Sequence, residues 1–276
     1  MIDIRRGGVA SLVVCLLLGT GAAVAQDPRY IPIAPLPLGD ALINLPTPRV
    51  LSPGMWEVRF THRFAQPVNE GDVHSLWGLD SSSDVAIGLA WAPVRDLQLS
   101  ILRSNVQDDI ELAARFALLK QAPAFPLSIS LRGGVDWRTE RGLTDRTSLF
   151  AQVILAHQIG RRIELFVIPT YASDAGDFEH AFNVPIGVAY QLQRYLSLIA
   201  EVIPENRDAR AGTPSDFAWA VGLKRAIGGH YFEVLFTNSR ATHVDQYLSS
   251  TFLGGLDRSD VHLGFNIERR FGGRRR

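Results

Sequence analysis

A single cysteine, Cys15, occurs in the 276 residues, and it lies inside an amino-terminal apolar run. Beyond that run the chain has no disulfide and no thiolate metal site. Net charge is missing too, because 28 basic side chains balance 28 acidic ones. That balance excludes a polybasic nucleic-acid binder and an acidic disordered tail. After the amino-terminal run, no apolar stretch reaches the roughly 18 residues that a membrane-spanning helix needs. The G-x-S-x-G, H-E-x-x-H, P-loop and C-x-x-C patterns are all absent, so no local signature marks a nucleophile, a zinc site, a phosphate cradle or a redox pair.

What is present starts with an export signal. Arg5 and Arg6 precede the apolar run Val9–Leu18, and Ala23-Val24-Ala25 is a small-x-small cleavage site. Residues 1–25 therefore read as a removable signal peptide, with Gln26 as the first mature residue. Cleavage removes Asp3, Arg5 and Arg6 and leaves one net negative charge. An apolar fraction of 46% excludes global disorder.

Residues 26–53 contain Pro28, Pro32, Pro35, Pro37, Pro46, Pro48 and Pro53. Proline removes backbone donors and fixes φ, which argues against a long helix or an internal strand. The stretch reads as a flexible periplasmic leader. The sharper alternatives are a short plug threaded into a lumen, or a partner-binding segment.

From residue 54 the chain alternates with a period of two. Trp56, Val58, Phe60, His62 and Phe64 share one face, with Glu57, Arg59, Thr61 and Arg63 on the other. Leu127, Ile129, Leu131, Val135 and Trp137 are set in the same way against Ser128, Ser130, Arg132, Asp136 and Arg138. Further rows include Leu149–Ile159, Ile163–Tyr171, Phe182–Leu192 and Val261–Phe271. Such alternation means strands with one apolar face and one polar or small face. About twelve strands result, mostly of the roughly 9–12 residues that a tilted strand needs to cross a bilayer.

The connections alternate between short and long. Short ones include Ala92–Asp96, Gly160-Arg161, Gln193-Arg194 and Ala226–Gly229. Long ones include residues 66–83, Ile203–Ser215 and Ser239–Ser259. Trp56, Trp91, Tyr190 and Phe271 fall near one end of the strands, whereas Phe64, Trp137, Tyr171, Phe182 and Trp219 fall near the other. Short periplasmic turns, longer outer loops and two aromatic belts are properties of outer-membrane barrels. The fold expected is thus all-β, a closed antiparallel transmembrane β-barrel over 54–271 with a basic tail at 272–276. Closure satisfies the backbone and removes the edges. The competing architecture is a secreted soluble β-sandwich or lipocalin-like binding protein.

The polar face should line the lumen. It carries Arg59, Arg63, Arg115, Arg132, Arg138, Lys224 and Arg270, with Glu57, Glu111, Asp136, Glu164, Glu201, Asp216, Glu233 and Glu268. The two signs nearly cancel, so strong ion selectivity is not expected. These groups either pair to fill the lumen or form a narrow pore for small polar solutes. His74, His180 and His243 fall in the expected outer loops beside Asp72, Asp177, Glu179 and Asp245. Imidazole plus carboxylate would suit a surface zinc or copper site, but the spacing matches no metal-ligand motif. The histidines therefore read as scattered and solvated, and no metal and no cofactor is assigned. A lipid-acting barrel hydrolase is the alternative function. His62, lipid-facing near the outer leaflet, would be its base, but no serine alternates beside it on that strand, and a base alone is not a catalytic constellation.

Leu45-Pro46, His62-Arg63-Phe64 and Leu76-Trp77-Gly78-Leu79-Asp80 followed by a small-residue strand, together with Phe232–Asn238 ahead of a long loop, resemble a family of bacterial outer-membrane β-barrels of unknown function. The resemblance covers most of the mature chain. It implies a barrel in the outer membrane but no catalytic residues. The expected partners are outer-membrane lipid and the barrel-assembly machinery. The chain departs from common barrels at its end, where Phe271 is followed by Gly272-Gly273-Arg274-Arg275-Arg276, so an assembly signal would have to be read internally at Phe271.

Overall fold

The computed structural model describes residues 35–142, 144–175, 179–204, 217–249, 257 and 259–272. The expected signal peptide, residues 26–34, Asp177, Asp216 and the tail beyond 272 lie outside them. Among the described residues fourteen strands are formed: β1 (Met55–Phe64), β2 (Ser83–Val94), β3 (Leu97–Ser104), β4 (Asp109–Leu119), β5 (Ser128–Arg138), β6 (Arg146–Ile159), β7 (Ile163–Val167), β8 (Thr170–Ala175), β9 (Glu179–Asn183), β10 (Ile186–Gln193), β11 (Leu196–Ile203), β12 (Ala218–Ile227), β13 (His230–Thr237) and β14 (His262–Gly272). They pair antiparallel in one sheet, and the β1–β14 and β5–β6 pairings close it on itself.

Strands β7 and β8 are one stave interrupted at Ile168-Pro169, and β9 and β10 are one stave interrupted at Val184-Pro185. The barrel therefore has twelve staves. The sequence pattern runs through both prolines without a break, whereas the ladder stops there because proline has no N–H to give. The two interruptions are neighbours. Ile168 N–H donates to Pro185 O at 2.9 Å, and Val153 N–H donates to Pro169 O at 3.0 Å, so the wall stays bonded across the gap.

Side-chain direction follows the alternation. Ile87, Leu149 and Phe182 are exposed on the outer surface, while Glu57, Thr61, Arg63 and Glu268 are buried within. Trp56 stacks on Trp91 with ring centroids 5.3 Å apart and pairs across the closing seam with Phe271. The turn between β12 and β13 places Gly228 and Gly229 at φ 56° and 85°. This is the double positive-φ conformation that a two-residue hairpin favours and glycine supplies without strain.

The interior differs from the expected polar one. On the β6–β13 side Phe150, Ile154, Phe166, Ile168, Ile199 and Leu235 point inward and are buried. The proline-rich stretch differs from a free leader in a related way. Residues 40–47 form a hairpin inside the barrel, with an Ala41–Pro46 bridge, Leu42 N–H to Leu45 O at 2.8 Å and Thr47 N–H to Asp40 O at 2.9 Å. Leu36, Leu38, Leu42, Ile43 and Leu45 pack on the apolar wall and lose nearly all solvent contact. Each such side chain contributes on the order of 1.5–3 kcal/mol through burial, which explains why this stretch sits inside the barrel and not free of it.

Candidate functional site

Both ends of the hairpin lie at the turn end of the barrel. There Arg49 Nη2 donates to Glu164 at 2.5 Å, Leu51 N–H donates to Gln98 Oε1 at 3.0 Å, and Ser130 Oγ donates to Pro48 O at 2.6 Å. The tip reaches mid-lumen, where the inward charges grip its backbone. The Glu201 carboxylate accepts from the N–H groups of Ile43, Asn44 and Leu45 at 2.7–3.0 Å. Lys224 Nζ donates to the carbonyls of Leu38, Ala41 and Leu42 at 3.3, 2.7 and 2.6 Å. It also lies 3.4 Å from both Glu233 and Glu268. Arg115 pairs with Asp40 and donates to Thr47 O at 2.9 Å, while Arg59 donates to Ile43 O. Arg63 bonds Asn44 Oδ1 at 3.1 Å and Asn266 Oδ1 at 2.9 Å.

A second segment enters from the loop end. The connection between β13 and β14 turns inward and forms one helical turn, α1 (Val244–Tyr247), all four residues of which are buried. Tyr247 Oη accepts from Gln152 Nε2 at 2.8 Å, and Gln246 Nε2 donates to Asp109 Oδ2 at 3.0 Å. Asp245 pairs with Arg138 Nε at 3.0 Å, and its N–H donates to Asp136 Oδ2 at 3.2 Å. Burial, then the neighbouring Asp109 carboxylate, pushes the Asp245 carboxyl well above the usual carboxylate range.

Between hairpin and loop remains a cavity of about 70 Å³ against the β1–β5 wall, room for several waters. Its charged lining is Asp40, Glu57 and Glu111 with Arg59, Arg115 and Arg132. Arg132 pairs with Glu111 and bonds Gln152 Oε1 at 2.7 Å. Of the charges expected in the lumen, Glu57, Arg59, Glu111, Arg115 and Arg132 thus meet at the cavity. Arg63, Glu201, Glu233 and Glu268 join Lys224 around the hairpin tip, and Asp136 meets the incoming loop. Sequence reasoning missed Asp40, Asp109, Gln152 and Tyr247, and it placed Asp245 beside the outer-loop histidines, not against the inner wall. Inward apolar residues such as Phe150 and Ile154, and the Val244/Tyr247/Leu248 spacing in a nominally polar loop, were the available signals.

The histidines do not converge. His74 is exposed in an outer loop, His180 is exposed on β9, and His243 is buried in the barrel with Nε2 3.3 Å from Leu102 O. His62 is half-buried on the outer surface, 4.5 Å from the Phe64 ring and stacked on Phe265 at 4.8 Å. Its cross-strand partners are Val85 and Phe265, neither of which can act as a nucleophile. Gly78 has φ 87°, and a Cβ there would stand 2.6 Å from Gln66 O. The Leu76–Asp80 motif is therefore shaped by backbone packing.

A family model described as "Membrane bound beta barrel domain (DUF5777)" matches residues 39–271. No match was found among the curated proteins. Among solved structures the chain is similar to outer-membrane phospholipase A from Escherichia coli, at 12% identity and a TM-score of 0.44, covering 90% of this chain and 97% of that one. It is also similar to an outer-membrane channel from Pseudomonas putida F1, at 11% identity and a TM-score of 0.49, covering 87% and 100%. The NanC porin gives 10% identity and a TM-score of 0.46, covering 79% and 100%.

Proposed function

The chain belongs to the membrane-bound β-barrel domain family, and from that outer-membrane barrel we propose a narrow passive pore for small polar solutes, constricted by its own proline-rich segment. The observation that carries this reading is the division of the lumen. The apolar wall is filled by the hairpin, while the β1–β5 wall keeps a charge-lined cavity between hairpin and loop. The reading is non-enzymatic, in keeping with the aromatic surroundings of His62. It includes export by a signal peptide cleaved before Gln26, and insertion by the barrel-assembly machinery with Phe271 read internally.

The test is single-channel conductance in a planar bilayer, with and without residues 26–53, on samples whose folding is checked by heat-modifiable gel migration and whose first residue is checked by sequencing. The intact chain is expected to give small steps and the truncated chain larger ones, as the hairpin's cross-section is vacated. Silence from both, with folded samples, would replace the pore by a purely structural envelope protein.

A further inference from the structure

Where the β13–β14 loop meets the wall, Asp109 from β4, Asp136 from β5 and Asp245 from α1 each offer a carboxylate oxygen, all within 4.8 Å of one another. All three residues are buried to 1% exposure or less. Asp109, Asp136 and Asp245 each keep a buried Oδ1 without a hydrogen-bond partner. An orphaned carboxylate oxygen away from water is costly unless something positive meets it.

The surrounding cations do not suffice. Arg138 is shared between Asp245 and Asp174, Arg146 is directed to Asp174, and Arg132 is directed to Glu111. Among the described residues five carboxylates thus face three guanidinium groups, two more negative charges than positive ones. The imidazole of His243, held between Thr242 Oγ1 and Leu102 O, would supply at most one.

We propose that Asp109, Asp136 and Asp245 bind one divalent cation that fastens the β13–β14 loop inside the barrel. Two oxygens on one Ca²⁺ at roughly 2.3–2.6 Å can stand up to about 5 Å apart, whereas Mg²⁺ at roughly 2.0–2.1 Å allows only about 4.2 Å. Oxygens within 4.8 Å of one another fall inside the calcium limit. Hard carboxylate donors without nitrogen or sulfur favour the same choice. Because one ligand comes from the loop and two from the wall, the ion would act as a latch, and its binding free energy would add to the stability of the closed lumen.

The test uses the full-length mature protein, refolded in lipopolysaccharide-free detergent with Ca²⁺, Mg²⁺ or chelator. The readout is the temperature at which the folded gel band is lost. Calcium at a hundredfold excess over its Kd is expected to raise that temperature by roughly 5 °C, with a smaller effect from Mg²⁺. Terbium, read by emission sensitised through Tyr247, is expected to bind at one site and be displaced by Ca²⁺. D136N should abolish both effects while melting no lower than the chelated wild type, since it relieves a like-charge contact. No calcium shift and no terbium site in the wild type would overturn the proposal in favour of shared protons. An undiminished shift in D136N would overturn it in favour of surface binding. If D136N does not fold, the wild-type terbium stoichiometry and calcium shift decide.

Discussion

Lys224 shares one ammonium among the carbonyls of Leu38, Ala41 and Leu42 and two buried carboxylates. Removing the charge while keeping the volume separates what it does electrostatically from what it does by packing. Lys224→Met removes the cation that lies 3.4 Å from both Glu233 and Glu268, a loss expected to cost about 3–5 kcal/mol. It should appear as earlier melting in heat-modifiability assays. Adding Glu268→Gln to that variant should recover part of the loss, because one of the two stranded charges is then gone. A Lys224→Met protein that melts with the wild type would mean that the lumen network does not hold the hairpin. Glu201 does the complementary work. Its carboxylate satisfies three successive N–H groups at the hairpin tip, so the wall binds backbone there, and the tip's side chains are free to serve packing.

At the scale of the element, the hairpin and the β10 wall are in direct apposition. A methyl group built on Gly187 would run into the Leu42 side chain, so this glycine is where the wall makes room for the plug. A Leu42→Cys/Gly187→Cys pair puts thiols on two positions in direct contact, in a chain whose only other cysteine is Cys15. Export to an oxidising compartment should cross-link them, giving a reductant-reversible change in the migration of the boiled protein. Failure to cross-link in a folded sample would put the hairpin elsewhere. The sequence made the strands legible because lipid enforces the alternation. Trp56, Val58 and Phe60 must face outward whatever fills the inside. It made the plug less legible because the interior has no such constraint. Phe150, Ile154, Phe166 and Leu235 break the polar row only if something apolar lies opposite, and the partner is a stretch whose prolines suggest a linker. Pro169 and Pro185 were invisible as interruptions for a related reason. Each breaks its own ladder, but the adjacent stave supplies the missing bond.

For the molecule as a whole, the arrangement of charge decides what the pore would select. The candidate sites divide into three. The hairpin grip is internally paired, the acidic cluster at the loop is negative, and the cavity between them balances three carboxylates with three guanidinium groups. Only groups along the conducting path set selectivity, because the focused field of a narrow passage falls off rapidly into paired surroundings. If solutes pass by the cavity, a tenfold KCl gradient should give a reversal potential within roughly 10 mV of zero, against about 59 mV for perfect selectivity. If the path instead crosses the Asp109–Asp136–Asp245 cluster, the potential should be large and cation-favouring, and calcium should collapse it. The measurement therefore distinguishes two routes through one barrel. A large anion-favouring potential would contradict both, since neither route carries an excess of positive charge.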